Sequence, residues 1–266
     1  VASAFQDLSQ KSQPPARFDY FDGVFVAGSH GAGVLRIPTA DGDNPFMLLR
    51  YRRLRGLFAS GIYWERRLKV DHPASPLLNM LSVGYISGFQ TPPEAALLAA
   101  GLEKAGEVHA NRIYRNPRAL PRFFLPPRVR RSADEDDTFL DLADPAFDPA
   151  AEAIVEGISS DRNGLAVAPV RTDSWEENRI ALTVTTSGPA FLATSEILYP
   201  GWTATVNGTP QPLLMTNGAF RGLFLGAGTS HIEMRYRPMS LVAGALISLA
   251  SLLPALWFAG RGWTCR

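Results

Sequence analysis

Tyr199-Pro200-Gly201-Trp202, with Asn217, Arg221 and the Asn207-Gly208 turn, is the residue set best suited to hold a carbohydrate. Aromatic rings stack on the apolar faces of sugars, and Asn amides and Arg guanidiniums bond to hydroxyls. The same residues have a structural reading, with Trp202 packed in a core and Asn217 held for the left-handed backbone of a turn. A second set is basic. Arg50, Arg52, Arg53 and Arg55 crowd one predicted helix, and with Arg66, Arg67 and Lys69 they make seven cations against Glu65 and Asp71 over Arg50–Asp71. Such a cluster attracts anionic lipid headgroups or a phosphate, which Arg grips with two parallel bonds. It also reads as a solvated helix face closed by internal salt bridges. Both readings stand for both sets.

Other chemistry finds little support. His30, His72, His109 and His231 are scattered without close His or Cys partners, so no metal-ligand spacing is present and no metal or cofactor is expected. Gly28–Gly33 is glycine-rich but matches neither the dinucleotide nor the P-loop pattern, and it reads as a turn. Ser29 and His30 are adjacent, which suits no catalytic triad, and no Gly-x-Ser-x-Gly elbow exists. The carboxylates of Asp134–Asp137 open a predicted helix, where the dipole favours negative charge. No catalytic residue is assigned.

Composition sets the frame for these sets. The chain has 266 residues, with 26 basic against 25 acidic and a net charge of +1, which removes the electrostatic footprint of a nucleic-acid binder. The AVILMFWYC set is 46%, enough for a core, and 23 Gly with 21 Pro suit turn-rich β structure. Cys265 stands alone, so no internal disulfide can form. The chain opens on Val1 without a basic segment leading into an apolar run, the mark of a processed chain or of a piece of a longer one.

The far end differs. Leu241–Ala259 holds 19 consecutive residues without a charge, and as a helix it would reach about 28 Å, close to the hydrocarbon thickness of a bilayer. Trp257 and Trp263 suit an interfacial belt, so the run is expected to span a membrane. Arg235 and Arg237 before it balance Arg261 and Arg266 after it, and charge alone gives no orientation.

The elements that must position these residues fall into two soluble parts. In the first, a helix is expected to start at Asp43-Asn44-Pro45 and run through Phe46–Ala59. A short helix leading into a strand is expected over Leu77–Phe89, a second helix over Pro93–Lys104, strands over Val108–Asn116 and Arg122–Arg130, and a helix over Asp134–Leu142. After Gly164 the pattern turns to strands. Asn178–Thr186 alternates Ile180, Leu182 and Val184 with polar neighbours, and further runs lie at Ala190–Leu198, Trp202–Val206, Gln211–Thr216, Ala219–Leu225 and His231–Tyr236. Asn207-Gly208 and Asn217-Gly218 are hairpin signals. The expected fold is α+β: a mixed α/β domain over 1–157, an antiparallel β-sandwich over 160–238, and a transmembrane helix over 239–260.

Ser195–Pro238 resembles the C-terminal signature of the YfhO family of bacterial membrane proteins: Ser-Glu, Tyr-Pro-Gly-Trp, an Asn-Gly turn, Asn-Gly-Ala, Arg-Gly and a closing Tyr-x-Pro. Ile113–Leu125 is similar to a second family element, Tyr-x-Asn-Pro-x-Ala-Leu-Pro-Arg, and Leu77–Ile86 to a third. The resemblance implies kinship with GT-C-type transferases that use lipid-linked sugars. It also implies an upstream transmembrane core carrying the catalytic acid, and a bacterial cytoplasmic membrane with residues 1–238 outside and Arg261–Arg266 in the cytoplasm. Implied partners are membrane lipid, a polyprenyl-phosphate-linked sugar or envelope glycopolymer, and that upstream core. Two functions follow: an accessory extracytoplasmic region of a glycosyltransferase assisting donor or acceptor binding, or a non-catalytic membrane-anchored carbohydrate-binding or scaffold module.

Overall fold

The computed structural model describes residues 2–21, 36–40, 47–60, 68–88, 94–108 and 110–262. The glycine-rich run with Ser29 and His30, the helix start at Asp43-Asn44-Pro45, the cations Arg66 and Arg67, and His109, Trp263 and Cys265 lie outside them. The described fold is α+β and dominated by sheets.

The first part holds helix α1 (Ala2–Ser9), strand β1 (Arg17–Tyr20), helix α2 (Leu49–Arg55), the short pair β2 (Ala59–Ser60) and β3 (Lys69–Val70), and helix α3 (Pro76–Met80). Strand β4 (Val83–Gly88), helix α4 (Glu94–Ala99) and strands β5 (Glu103–Val108) and β6 (Asn111–Arg115) complete it. Its sheet runs β1-β4-β6-β5, with β1 parallel to β4 and the other pairs antiparallel. The helix expected over Pro93–Lys104 is shorter: α4 stops at Ala99, Gly101 takes φ +78°, and residues 103–108 join the sheet. Gly106 marks a register shift inside β5, a common use of glycine in a strand. An ion pair is sealed inside this part: Asp19 on β1 and Arg55 at the end of α2 bond side by side, both wholly buried.

The second part begins earlier than the change of texture at Gly164. Strands β7 (Phe123–Phe124) and β8 (Arg128–Ser132), helix α5 (Glu135–Ala143) and strand β9 (Glu152–Glu156) precede β10 (Arg171–Trp175), β11 (Arg179–Thr186), β12 (Ala190–Ile197) and β13 (Trp202–Val206). Then come β14 (Thr209–Gln211), β15 (Leu214–Thr216), β16 (Phe220–Leu225) and β17 (Gly228–Tyr236). One sheet is β10-β11-β17-β13-β14, antiparallel throughout. The other is β7-β12-β16-β15-β9-β8, so three strands from before residue 157 share a sheet with strands from after it, β7 pairing with β12 and β9 with β15. This sheet is not purely antiparallel, because β8 and β9, joined through α5, run parallel.

Local chemistry explains the elements. Asp134 caps α5 by accepting the Asp137 amide at 3.0 Å, and Glu135, Asp136 and Asp137 fill the first turn where the dipole favours them. Asn207-Gly208 and Asn217-Gly218 both take positive φ at both residues, the hairpin geometry their types favour. The run expected as one strand over Gln211–Thr216 is two, since Pro212 and Leu213 carry the chain from one sheet to the other. Between the sheets pack Ile180, Leu182, Val184, Ile232 and Met234 from one side and Leu192, Leu223 and Leu225 from the other. A second core joins the two parts: Tyr51, Leu54, Phe58 and Leu78 share it with Phe139, Ile154 and Phe220.

Helix α6 (Met239–Gly262) covers the long apolar run. Several of its side chains, from Val242 onward, lie outside the described residues. Among the described residues no helix is long and apolar enough to cross a membrane.

Gly222 shows how tightly the second sheet is packed. A Cβ there would fall 2.3 Å from Thr216 Oγ1 and 2.4 Å from Phe191 Cζ, whereas one on Gly226 would meet nothing within 4 Å. Gly222→Ala is expected to destabilise by roughly 1–3 kcal/mol, the usual cost of overpacking, and Gly226→Ala to stay near native. Equal melting temperatures for the two variants would contradict this packing.

Candidate functional site

Glu196 is the centre of the site. The register of β12 against β16 shifts between Ala193 and Ile197, and Thr194 Oγ1 accepts the Glu196 amide at 3.1 Å. An irregularity of this kind re-aims side chains, and here it sets the Glu196 carboxylate among three guanidiniums. Arg17, at the start of β1, reaches Glu196 Oε1 at 3.2 Å, and Arg122, just before β7, reaches the same oxygen at 3.0 Å. Arg221 on β16 stands 3.9 Å from Oε2. Three separate segments of the chain thus meet at one carboxylate.

The three arginines differ in how well they are satisfied. Arg17 also donates to Leu81 O at 2.9 Å, Ser195 Oγ at 2.7 Å and Ser195 O at 3.0 Å. Arg122 donates to Pro15 O from Nε at 3.1 Å and Nη2 at 2.8 Å, and its guanidinium lies 4.8 Å over Trp175. Arg221 is 2% exposed, its Nε has no hydrogen-bond partner, and Nη1 faces only the Met234 sulfur at 3.8 Å. Its guanidinium lies 3.8 Å over the Trp202 ring.

The electrostatics follow from burial and charge count. Burial opposes ionisation of Glu196, yet the fields of Arg17, Arg122 and Arg221 outweigh it and hold the carboxyl below its ordinary 4.5. Burial pulls Arg122 down to about 10, with the field of Arg17 adding and Glu196 opposing. Burial likewise pulls Arg221 down to about 10 against the pull of Glu196. At about 10, Arg122 and Arg221 stay charged at neutral pH, and with Arg17 the cluster sets three guanidiniums against one carboxylate.

Beside it opens a cavity of about 650 Å³, lined among others by Arg17, Tyr51, Tyr199, Trp202, Arg221 and Tyr236. A smaller one of about 260 Å³ lies across Trp202 and Arg221, with Trp175 and Glu176. The volume is of ligand-pocket size. Tyr199 is 46% exposed, and the Trp202 and Tyr236 rings lie 5.5 Å apart.

Of the residues expected to touch sugar, Tyr199, Trp202 and Arg221 line this cavity. Asn217 does not. It is wholly buried, accepts the Ile154 backbone N–H at its Oδ1 at 2.8 Å, donates its own backbone N–H to Ile154 O at 2.7 Å, and holds φ +48°. Its role is to tie the β15–β16 turn to β9. Trp202 is partly structural as well, because Arg221 covers one face of its ring and it packs against the intersheet core.

In the basic helix the cations turn to carboxylates, the second of its two readings. Arg50 grips Glu156 with both Nη atoms, at 2.7 and 3.1 Å, and meets Glu135 at 3.0 Å. Arg53 meets Asp136 at 2.6 Å and lies over Phe139, and Arg55 is the buried partner of Asp19. Arg52, half-buried, is engaged too. The hydrogen bonds that Arg50 donates to Glu156 and Arg53 to Asp136 raise the pKa values of the two arginines. The cations of α2 and the acidic start of α5 satisfy each other, so this helix offers no open phosphate cradle. His231 lies on the exposed face of β17, where Thr183 stands between it and Asp173, at 3.1 Å from Nδ1 and 2.5 Å from Oδ2. Among the described residues no group of His, Cys, Asp or Glu gathers to hold a metal ion.

Glu196, Arg17 and Arg122 were not singled out from sequence. Two of them sit inside the quoted signature elements, Glu196 in Ser-Glu and Arg122 in Ala-Leu-Pro-Arg. The second and third elements meet each other too, since Asn116 donates to Asn79 Oδ1 at 2.9 Å and Leu120 N to Asn79 O at 3.0 Å.

Residues 155–248 match the family model of the bacterial membrane protein YfhO. The chain carries a YfhO-family segment. Over 88 residues it is 31% identical to the uncharacterized protein YfhO of Bacillus subtilis (strain 168), which is 33% of this chain and 10% of that protein. The chain thus spans about a tenth of the curated relative it matches. It is also similar to the cryo-EM structure of arabinofuranosyltransferase AftD from Mycobacteria, at TM-score 0.24 and 22% identity, over 34% of this chain and 6% of that one. For a mutant form of AftD the values are 0.28 and 24%, over 42% and 8%. The YfhO segment supplies Glu196, Tyr199, Trp202 and Arg221, while Arg17, Tyr51 and Arg122 come from outside it.

The sign of the pH dependence follows from Glu196. A carboxyl whose folded pKa lies below its unfolded one contributes stability above the unfolded value, lost as pH falls through the folded value. Glu196→Gln is expected to unfold more easily than the native chain at pH 7 by roughly 3–5 kcal/mol, because three cations lose their counter-charge. The gap should narrow as pH drops below 4.5. Urea unfolding at pH 7 and pH 3 reads both, and a gap unchanged by pH would contradict the assignment.

Proposed function

We propose that this chain is an extracytoplasmic region of a YfhO-type protein of the cell envelope, attached through α6 and assisting a transferase of lipid-linked sugars by holding donor or acceptor glycan. The observation that carries this reading is the cavity of about 650 Å³ in which Tyr199, Trp202 and Arg221 of the family segment face Arg17 and Tyr51 of the first part. Its chemistry suits carbohydrate: aromatic surface for the ring faces, with Arg, Glu and Asn groups for hydroxyls. Tyr199 offers the more open ring, since one face of Trp202 is already taken.

Membrane attachment is supported by α6. Leu246, Ile247, Leu249, Leu252, Leu256 and Trp257 are each more than half exposed, and a helix apolar on every side is covered by lipid or protein. The orientation, with residues 1–238 outside, rests on the family resemblance. Sugar transfer from a polyprenyl-phosphate donor would then be an activity of the whole protein, with this segment contributing binding. A non-catalytic carbohydrate-binding module would use the same cavity.

Tyr199→Ala is expected to fold as the native chain and to lose at least about tenfold in affinity for envelope glycan fragments in calorimetry, the loss of one good stacking contact. A native-like affinity in a folded variant would remove the cavity from the reading. Glycan binding without any transfer by the whole protein would favour the non-catalytic module.

A further inference from the structure

Arg221 breaks the pattern of its own strand. Residues Arg221, Leu223 and Leu225 alternate onto one face of β16, and the two leucines pack in the intersheet core. At the position where the alternation calls for a hydrophobe stands a guanidinium that is 2% exposed. Its polar surroundings are thin. Nε has no partner, Nη1 faces only a thioether sulfur, and the carboxylate of Glu196 is 3.9 Å from Nη2, beyond hydrogen-bond length. That carboxylate is already bonded to Arg17 and Arg122 at shorter range. A buried cation this poorly paired is costly, and such groups are retained where something else completes them.

Other features of the molecule are already explained. The cations of α2 are paired with α5 and β9, the Asp19–Arg55 pair is sealed in the first part, and the Asp173–Thr183–His231 group is exposed to solvent. The guanidinium of Arg221 instead borders both cavities, held flat by Trp202.

We infer that the cavity takes an anionic sugar, with a carboxylate or phosphate-ester oxyanion bonded to the Arg221 guanidinium and the sugar ring toward Tyr199. This rests on the glycan-binding reading and narrows its substrate class. A planar fork stacked on an aromatic ring keeps one edge free for two parallel bonds to an oxyanion, and both oxyanions match that edge. Glu196 is the positioning residue that keeps the cluster from carrying three unopposed charges. Arg17 adds positive field on the cavity wall, while Glu177 on the rim is exposed and its field is screened by water.

The test uses the full chain in detergent, titrated calorimetrically with glucuronate, glucose 1-phosphate and the neutral methyl glucoside. At least one charged probe is expected to bind about tenfold or more tightly than methyl glucoside, and Arg221→Lys to remove most of that advantage. Preference for glucuronate would identify a carboxylate, and preference for glucose 1-phosphate a phosphate ester. Should Arg221→Lys not fold, the native protein supplies a second readout: added salt should weaken the charged probe and spare the neutral one. Equal binding of charged and neutral sugars overturns the anion site and leaves glycan binding standing. Binding by none of the three overturns both.

Discussion

One carboxylate facing three guanidiniums is the constraint on which the rest of this structure depends. Glu196 comes from the end of a sandwich strand, Arg17 from the first strand of the N-terminal sheet, Arg122 from the link between the two parts and Arg221 from the middle of the second sheet. Opposite charges at such distances, away from bulk water, fix the relative positions of the segments that carry them. The cavity exists because those segments meet there, and its positive excess exists because one acid serves three bases. Geometry and charge have the same source.

A second network makes the joint rigid without adding a site. Arg50 and Arg53 on α2 meet Glu135, Asp136 and Glu156 from α5 and β9, over a core that Tyr51, Phe139 and Phe220 share. Pairs of this kind, still reached by water, contribute little one by one, but the apolar contacts beneath them hold the two parts as one body. The basic and acidic clusters that looked like separate surfaces in the sequence are the two halves of this contact.

Local signals were legible and non-local ones were not. The alternation of Ile180, Leu182 and Val184, the two Asn-Gly turns and the acidic cap of α5 each depend on residues a few positions apart, and all three are found. Strand β9 was missed because four of its five residues are buried, leaving no alternation to read, and β10 because its polar sequence Arg171–Trp175 lies at a sheet edge. That β7, β8 and β9 belong to the sandwich sheet depends on pairing across the change of texture, which composition does not encode. In the site, Tyr199, Trp202 and Arg221 were legible as types suited to sugar. Asn217 kept two readings, since a turn-forming Asn and a ligand-binding Asn look alike until Ile154 is seen bonded to it, and its geometry is that of the turn. Glu196, Arg17 and Arg122 lie more than seventy residues apart from one another, and only the fold brings them together.

The most direct measurement of the central claim is a double-mutant cycle between Arg122 and Glu196, read by urea unfolding of Arg122→Gln, Glu196→Gln and the double variant. If one carboxylate organises the joint, the two substitutions are coupled by about 1–3 kcal/mol, the double variant losing less than the sum of the singles. Losses that add to within about 0.5 kcal/mol would mean that the two residues act independently, and the account of the joint would be wrong.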